Sequence, residues 1–354
     1  MTDLLIEWQQ FLAQHGADFS DEPVSQLLGF NGQGSNLAAG ADFVAPITDQ
    51  GVIAWSGEEA AHFLHNQLTN DVENLGTAEA RLAGYCTPKG RLLATMLIWR
   101  TGDQILLQLP KQIQAAIQKR LQMFVMRAKA KSRDASGEFI TLGLAGHAVG
   151  SALQTWFPQL PASPYTKLDA EAGTLIRLAD SDGAPRYQWI TSAATAMQGW
   201  PLLTKHLHAA GPQAWRLSEI RAGLPTVNQP TQEQFVPQMI NYELIGGVNF
   251  KKGCYPGQEI VARSQYLGKL KRRMLLASVS DSQVLPGMEV FASSDPEQPC
   301  GMIVNAESSA ASETDCLVEI KLAASEGATV HLGSAQGAML KFKPLPYALP
   351  DPAQ

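Results

Sequence analysis

The sequence predicts an α+β fold that gives way to an all-β part at the C-terminal end. Three observations carry this. Residues 46–135 contain a hairpin, a further strand and an amphipathic helix, which together make an antiparallel sheet with a covering helix. The same mixture returns more weakly over residues 136–268, and from about Lys271 only short β segments separated by turn residues remain. The expected organisation is an N-terminal helical extension (1–45), a first α+β half (46–135), a second half carrying a cysteine-containing loop (136–268), a small barrel or sandwich (269–347) and a tail (348–354).

Leu4, Leu5, Trp8, Phe11 and Leu12 recur at helical spacing and predict a short amphipathic helix at the start. Val52–Trp55 reads as a strand, and Ser56-Gly57-Glu58-Glu59 has the S-x-x-E form of a capping box, opening a helix through Phe63, Leu64 and Leu68. Arg81–Cys86 and Arg91–Arg100 read as strands joined by Thr87-Pro88-Lys89-Gly90, where proline presets the turn and glycine supplies the positive backbone angle. Ile105–Leu109 is a third strand. Pro110 then starts a helix with Ile113, Ile117, Leu121 and Phe124 on one face. In the second half, strands are expected near Phe139–Leu144, Leu175–Leu178 and Tyr187–Ile190, and helices near Ala148–Trp156, Ala193–Ala209 and Ala214–Gly223. The C-terminal strands fall at Met274–Val279, Glu289–Phe291, Gly301–Asn305, Cys316–Leu322, Thr329–Leu332 and Ala338–Lys341.

With 354 residues, 45% of them hydrophobic, the chain can bury sizeable cores without disulfides. A net charge of -6 argues against strong direct binding to tRNA or other nucleic acid, which needs accumulated Lys and Arg. No apolar run approaches the roughly 20 residues that cross a bilayer, and no signal-peptide pattern is present, so a cytoplasmic address without membrane contact is expected. Cys86, Cys254, Cys300 and Cys316 are far apart in sequence with no C-x-x-C pair. Reduced thiols are expected, with no metal or cluster.

The chemistry concentrates between Gly223 and Lys269, in the run Lys251-Lys252-Gly253-Cys254-Tyr255-Pro256-Gly257-Gln258-Glu259. Cys254 follows two lysines and precedes a Pro-Gly turn that can start a helix at Gln258. Positive charge and a helix N-terminus both favour a thiolate. A half-buried cysteine in a tight turn is the equal alternative. Glu259 and Arg263 lie one helical turn apart and are expected to pair. Trp215 can wall a slot for a flat heterocycle or pack in a core with Leu217 and Ile220. Arg127, Lys129, Lys131 and Arg133 alternate and, on a strand, would share one face, as a solvated surface or a receptor for a polyglutamate tail or RNA phosphates; Lys269, Lys271, Arg272 and Arg273 form a similar cluster.

The string Lys252-Gly253-Cys254-Tyr255-Pro256-Gly257-Gln258-Glu259 resembles the YgfZ family, relatives of the glycine-cleavage T-protein aminomethyltransferase. The resemblance extends through Phe63-Leu64-His65-Asn66-Gln67-Leu68-Thr69-Asn70-Asp71, Ala83-Gly84-Tyr85-Cys86-Thr87-Pro88-Lys89-Gly90-Arg91, Ile220-Arg221-Ala222-Gly223-Leu224-Pro225 and Pro344-Leu345-Pro346-Tyr347. It implies two ferredoxin-like α+β halves forming a folate-binding region, closed by a C-terminal β-barrel. It also implies tetrahydrofolate or a one-carbon derivative as cofactor, and a role in maintaining iron–sulfur enzymes, notably radical-SAM enzymes that methylthiolate tRNA. Carried over by position, Trp215 stands at the folate site and Cys254 is the motif thiol. A second family aromatic falls at Gln50, and an acidic residue of T-proteins falls at Arg221. The T-protein acids that follow the hairpin glycine are replaced by Ala94 and Thr95, neither of which can act as a general base. A conventional enzyme is therefore not expected. A folate-dependent aminomethyl or methyl transferase, and an interaction protein that needs no folate, are the alternatives.

Overall fold

The computed structural model describes residues 3–21, 26–32, 38–266, 270–325 and 327–350, so Lys269 of the second basic cluster lies outside the described residues. The first half is a five-stranded sheet in the order Ala80–Cys86, Leu92–Thr101, Gln104–Pro110, Gln50–Ser56, Lys131–Asp134, all antiparallel. Leu92–Trp99 is buried throughout because both faces of the sheet are covered. Ala94, Met96 and Ile98 point to the core under helix Lys111–Met123, and Leu97 and Trp99 point to the other face.

The second half is a six-stranded sheet in the order Lys167–Ala170, Gly173–Ser181, Ala184–Thr191, Ile140–Ala145, Phe43–Pro46, His208–Ala209. Its outer face is closed by the N-terminal helix Asp3–Gln14 and helix Ala193–Leu203, with Trp8, Leu144, Trp189 and Trp200 in one core. Its inner face meets the first sheet through Phe43, Ala45, Ile176, Leu178 and Ile190 against Ala54, Leu97 and Trp99. Helix Pro212–Arg221 enters that same layer with Ala214 and Trp215.

The C-terminal part is a curled six-stranded sheet, Val330–Leu332, Glu289–Ala292, Asp295–Ala310, Glu313–Lys321, Arg272–Val279, Leu340–Lys343. A bridge between His331 and Met339 brings its two edges together and gives it the half-barrel form. The long connection before it is ordered: Phe235 and Glu233 pair with both backbone groups of Leu92, and the Tyr242 hydroxyl donates to Ala83 O at 3.0 Å. Among the described residues no helix is long and apolar enough to cross a membrane.

Four local expectations are corrected. Ser56 does not cap a helix: it ends a strand paired to Lys131, Glu59 takes the N-cap position, and the Glu59 carboxylate accepts from Lys129 N at 2.7 Å. The helix that follows is confined to Ala60–His65, and Leu68 bridges to Tyr85 instead. Phe124 leaves the buried face of its helix and is 51% exposed, since the helix ends at Met123 and the chain turns away. Arg127 and Lys129 precede the strand, in a stretch of turns where Met126 has φ 46°, so only Lys131 and Arg133 share a strand face.

Candidate functional site

Two sites emerge, a central pocket and a surface thiol. The pocket lies where the two sheets, helix Pro212–Arg221 and the long connection meet. Pro212 starts that helix behind Gly211, and its first turn carries Trp215 inward, 2% exposed. The indole ring lies against Gly143, where a Cβ would come within 2.3 Å of it, so glycine is required for the ring to seat. The Arg186 guanidinium stacks over the ring, 4.2 Å from its centroid.

One turn further along the helix, Glu219 lines the pocket beside Trp215. Burial pushes its carboxyl up to about 7, against the attraction of Arg186. Burial likewise lowers the Arg186 guanidinium to about 10, against Glu219. The Arg186 Nε and Nη2 atoms and the Tyr165 hydroxyl are buried without hydrogen-bond partners among the described residues. Tyr165 faces the pocket. The remaining lining is apolar (Leu82, Leu97, Leu178, Ile245) with Gln50, Gln108 and Gln188 at its polar side. Counting the open solvent at its mouth, the space at the pocket is about 590 Å³. An aromatic wall, an apolar floor, a carboxyl and an unpartnered hydroxyl suit a flat heterocycle with a donor edge, so these residues fit a pterin.

Gln50 and Trp215 are thus brought to one pocket. Gln50 also borders a wider cleft, about 1780 Å³ with its mouth, lined by Trp8, Lys111 and Arg216. The central pocket is the better candidate, because the desolvated carboxyl and the orphaned hydroxyl are found there. Thr95 lines it without charge, its hydroxyl accepting from Val227 N at 2.9 Å, while Ala94 lies in the core on the opposite face. Arg221 does not line it. Its guanidinium pairs with Asp315 at 2.8 Å and Asp182 at 3.4 Å, tying the helix to the C-terminal sheet. Glu219 was not singled out from the sequence, although its i+4 spacing from Trp215 on one helix was the available signal.

The second site is built by the cysteine run. Helix Gln258–Tyr266 starts at Gln258, whose N–H donates to Tyr255 O at 3.1 Å. Gly257 has φ +81° and presses on the hairpin turn. Tyr255 is buried, and the Lys252 ammonium lies 4.7 Å from its ring centroid. Lys252 also donates to the carbonyls of His65 and, at 2.9 Å, Leu68. Burial pushes the Lys252 amine down to about 8, against the attraction of Asp71, Cys254 and Glu73. Cys254 itself is exposed, and Gly253 beside it faces the His65 ring. No residue of 252–259 lines the central pocket. Glu259 and Arg263 are both exposed, and among the described residues no ion pair joins them. Cys86, Cys300 and Cys316 are buried, and among the described residues no group of His, Cys, Asp or Glu could hold a metal ion.

The basic clusters are largely neutralised. Lys129 pairs with Glu58, Arg133 with Glu138, Arg272 with Glu319 and Arg273 with Glu243.

No family model matches the sequence. Among curated proteins the chain is 34% identical over 233 residues to the tRNA-modifying protein YgfZ of Colwellia psychrerythraea, covering 66% of this chain and 70% of that protein. It is 32% identical over 244 residues to the YgfZ of Photorhabdus laumondii, covering 67% and 71%. Among solved structures, the glycine cleavage system aminomethyltransferase T of Bartonella henselae superposes with a TM-score of 0.76 at 15% identity, over 95% of this chain and 96% of that one. At that identity the likeness establishes the fold.

Proposed function

The chain belongs to the YgfZ family of tRNA-modifying proteins, and from that membership we propose that it binds tetrahydrofolate or a one-carbon derivative in the central pocket. We further propose that it supports the iron–sulfur enzymes that methylthiolate tRNA, through the thiol of Cys254. The observation that carries the folate reading is the pairing of Trp215 with Glu219 one helical turn apart in a single pocket. The ring would form one wall against the pterin, and the carboxylate would accept from its donor edge, the role for which Arg221 is unsuited in both charge and place. When bound, the reduced folate would supply or accept a one-carbon unit. The uncharged Thr95 and the core position of Ala94 leave no carboxylate at the T-protein positions, which favours a binding protein over an aminomethyltransferase.

The exposed position of Cys254, outside the pocket lining, supports a thiol that meets a group presented by a partner protein. The test is complementation of a strain lacking its YgfZ, read as methylthiolated tRNA. The reading predicts that wild type restores the modification while Trp215→Ala and Cys254→Ser each fail at equal protein level. Full restoration by Cys254→Ser would remove the thiol from the function, and full restoration by Trp215→Ala would remove the pocket.

A further inference from the structure

Gln108, on strand Gln104–Pro110 of the first sheet, and Gln188, on strand Ala184–Thr191 of the second, meet between the two sheets, where the Gln188 amide donates to Gln108 Oε1 at 2.8 Å. Both residues line the central pocket, and they are only 6% and 2% exposed. Gln188 is the register partner of Gly143, on which the Trp215 ring rests, so the pair stands beside that ring. Gln108 lies opposite Leu97, a further lining residue. Each amide carries one carbonyl and one NH2 group, and the bond between them uses one of each. Whichever amide donates, the pair keeps one carbonyl and one NH2 group, and these have no other hydrogen-bond partner among the described residues. Neither group is sealed off as the unpartnered Tyr165 hydroxyl is. At residues this buried, the space they reach is the pocket they line. Two sheets thus hold one donor and one acceptor on a single bonded unit at the pocket.

We propose that the Gln108–Gln188 pair sets the oxidation state of the pterin that the pocket accepts, taking the tetrahydro ring and rejecting the fully oxidised one. The inference rests on the folate reading, in which Glu219 takes the donor edge formed by the 2-amino group and N3–H. Two polar edges of the ring remain, the C4 carbonyl with N5 and N1 with N8. In the tetrahydro ring N5 and N8 carry hydrogen, so either edge offers an acceptor beside a donor and matches the pair. In the oxidised ring N5 and N8 are bare acceptors, and either edge offers two acceptors. The carbonyl of the pair then faces a lone pair and stays unbonded in a buried place. Exchanging the roles of the two amides does not help, because the pair always keeps one carbonyl. A site built to bond an N–H discriminates strongly against an analogue that lacks it. Gln108 and Gln188 are therefore specificity-determining residues, whichever of the two edges faces them.

The test is anaerobic calorimetric titration of the full-length wild type, Gln108→Met and Gln188→Met with tetrahydrofolate and with folic acid, the fully oxidised form. Wild type is expected to bind tetrahydrofolate at least about tenfold more tightly than folic acid. In each variant tetrahydrofolate is expected to weaken about tenfold and folic acid no more than about threefold, so that the preference shrinks. A substitution that merely distorts the pocket weakens both ligands alike, so the preference, unlike the affinity, does not respond to a structural role. The two variants lie on different sheets, and the wild-type preference is measured without either of them. Equal affinity of wild type for the two ligands, or a preference that survives unchanged in the variants, overturns the proposal and leaves the folate reading standing. Absence of tetrahydrofolate binding to wild type overturns both.

Discussion

Gly257 of the cysteine run and Gly90 of the hairpin turn meet backbone to backbone: a Cβ on Gly257 would fall 2.6 Å from Gly90 Cα and N, and 2.4 Å from Thr87 O. Gly90 in turn has φ +70° and would bring a Cβ within 2.9 Å of Ile260 Cβ on the following helix. Two glycines with positive φ thus lock two segments that are far apart in sequence. Cys254 is held on the surface because the helix behind it is clamped to the first sheet.

Alanine at either position should therefore cost more than the usual penalty of about 1 kcal/mol for a left-handed residue, on the order of 2–4 kcal/mol with the backbone clash included. Gly253→Ala meets only ordinary contact, at 3.5 Å, and should stay within about 1 kcal/mol of wild type. Urea denaturation of the three variants checks this ordering.

Gly143→Ala puts a methyl into the Trp215 ring, 2.3 Å from Cε3. Overpacking of this kind costs roughly 1–3 kcal/mol. The ring is expected to move and tetrahydrofolate affinity to drop about tenfold or more, while far-UV circular dichroism is unchanged.

The carboxyl of Glu219, pushed up to about 7, is mostly protonated below neutral pH and ionised above it. An ionised carboxylate accepts from the pterin's donor edge. Tetrahydrofolate affinity should accordingly rise as pH passes upward through about 7, and Glu219→Gln should flatten that dependence and weaken binding at pH 8. Titration at pH 6, 7 and 8 measures both effects.

Lys252 has a folded-state pKa near 8 against 10.5 for the unfolded chain. Between those values the unfolded chain binds more protons, so this group's contribution to stability grows as pH rises from about 8 to 10.5. Relative to Lys252→Met, wild type should gain on the order of 1 kcal/mol across that window, after allowing for partial solvent screening. At every pH the variant is also expected to lose about 1–3 kcal/mol, because the carbonyls of His65 and Leu68 lose their donor. Thermal melts at pH 7 and pH 10 separate the two terms.

Where the sequence was readable, local chemistry decided the structure. The turn at Thr87–Gly90 follows from proline and glycine, the helix start at Gln258 from the preceding Pro-Gly, and the C-terminal strands from short apolar runs between turn residues. Expectations failed where a distant partner won. Ser56 has the right spacing for a cap, but its backbone is taken by Lys131 and the Glu59 carboxylate by Lys129. Phe43–Pro46 was missed as a strand because four buried residues show no alternation. They belong to the second sheet, paired with Ile140–Ala145 almost a hundred positions on. The pattern around Trp215 offers a wall for a flat heterocycle, and its place at a folate site, like that of Gln50, comes through resemblance, whereas Glu219 depends on burial and facing partners that one dimension does not display.

Calorimetric titration of the anaerobic protein with tetrahydrofolate, beside Trp215→Ala and Glu219→Gln, tests the central claim most directly. The account predicts saturable one-site binding to wild type, its loss in Trp215→Ala and its weakening in Glu219→Gln. Absence of heat from wild type at high micromolar ligand, or unchanged binding in Trp215→Ala, would contradict it.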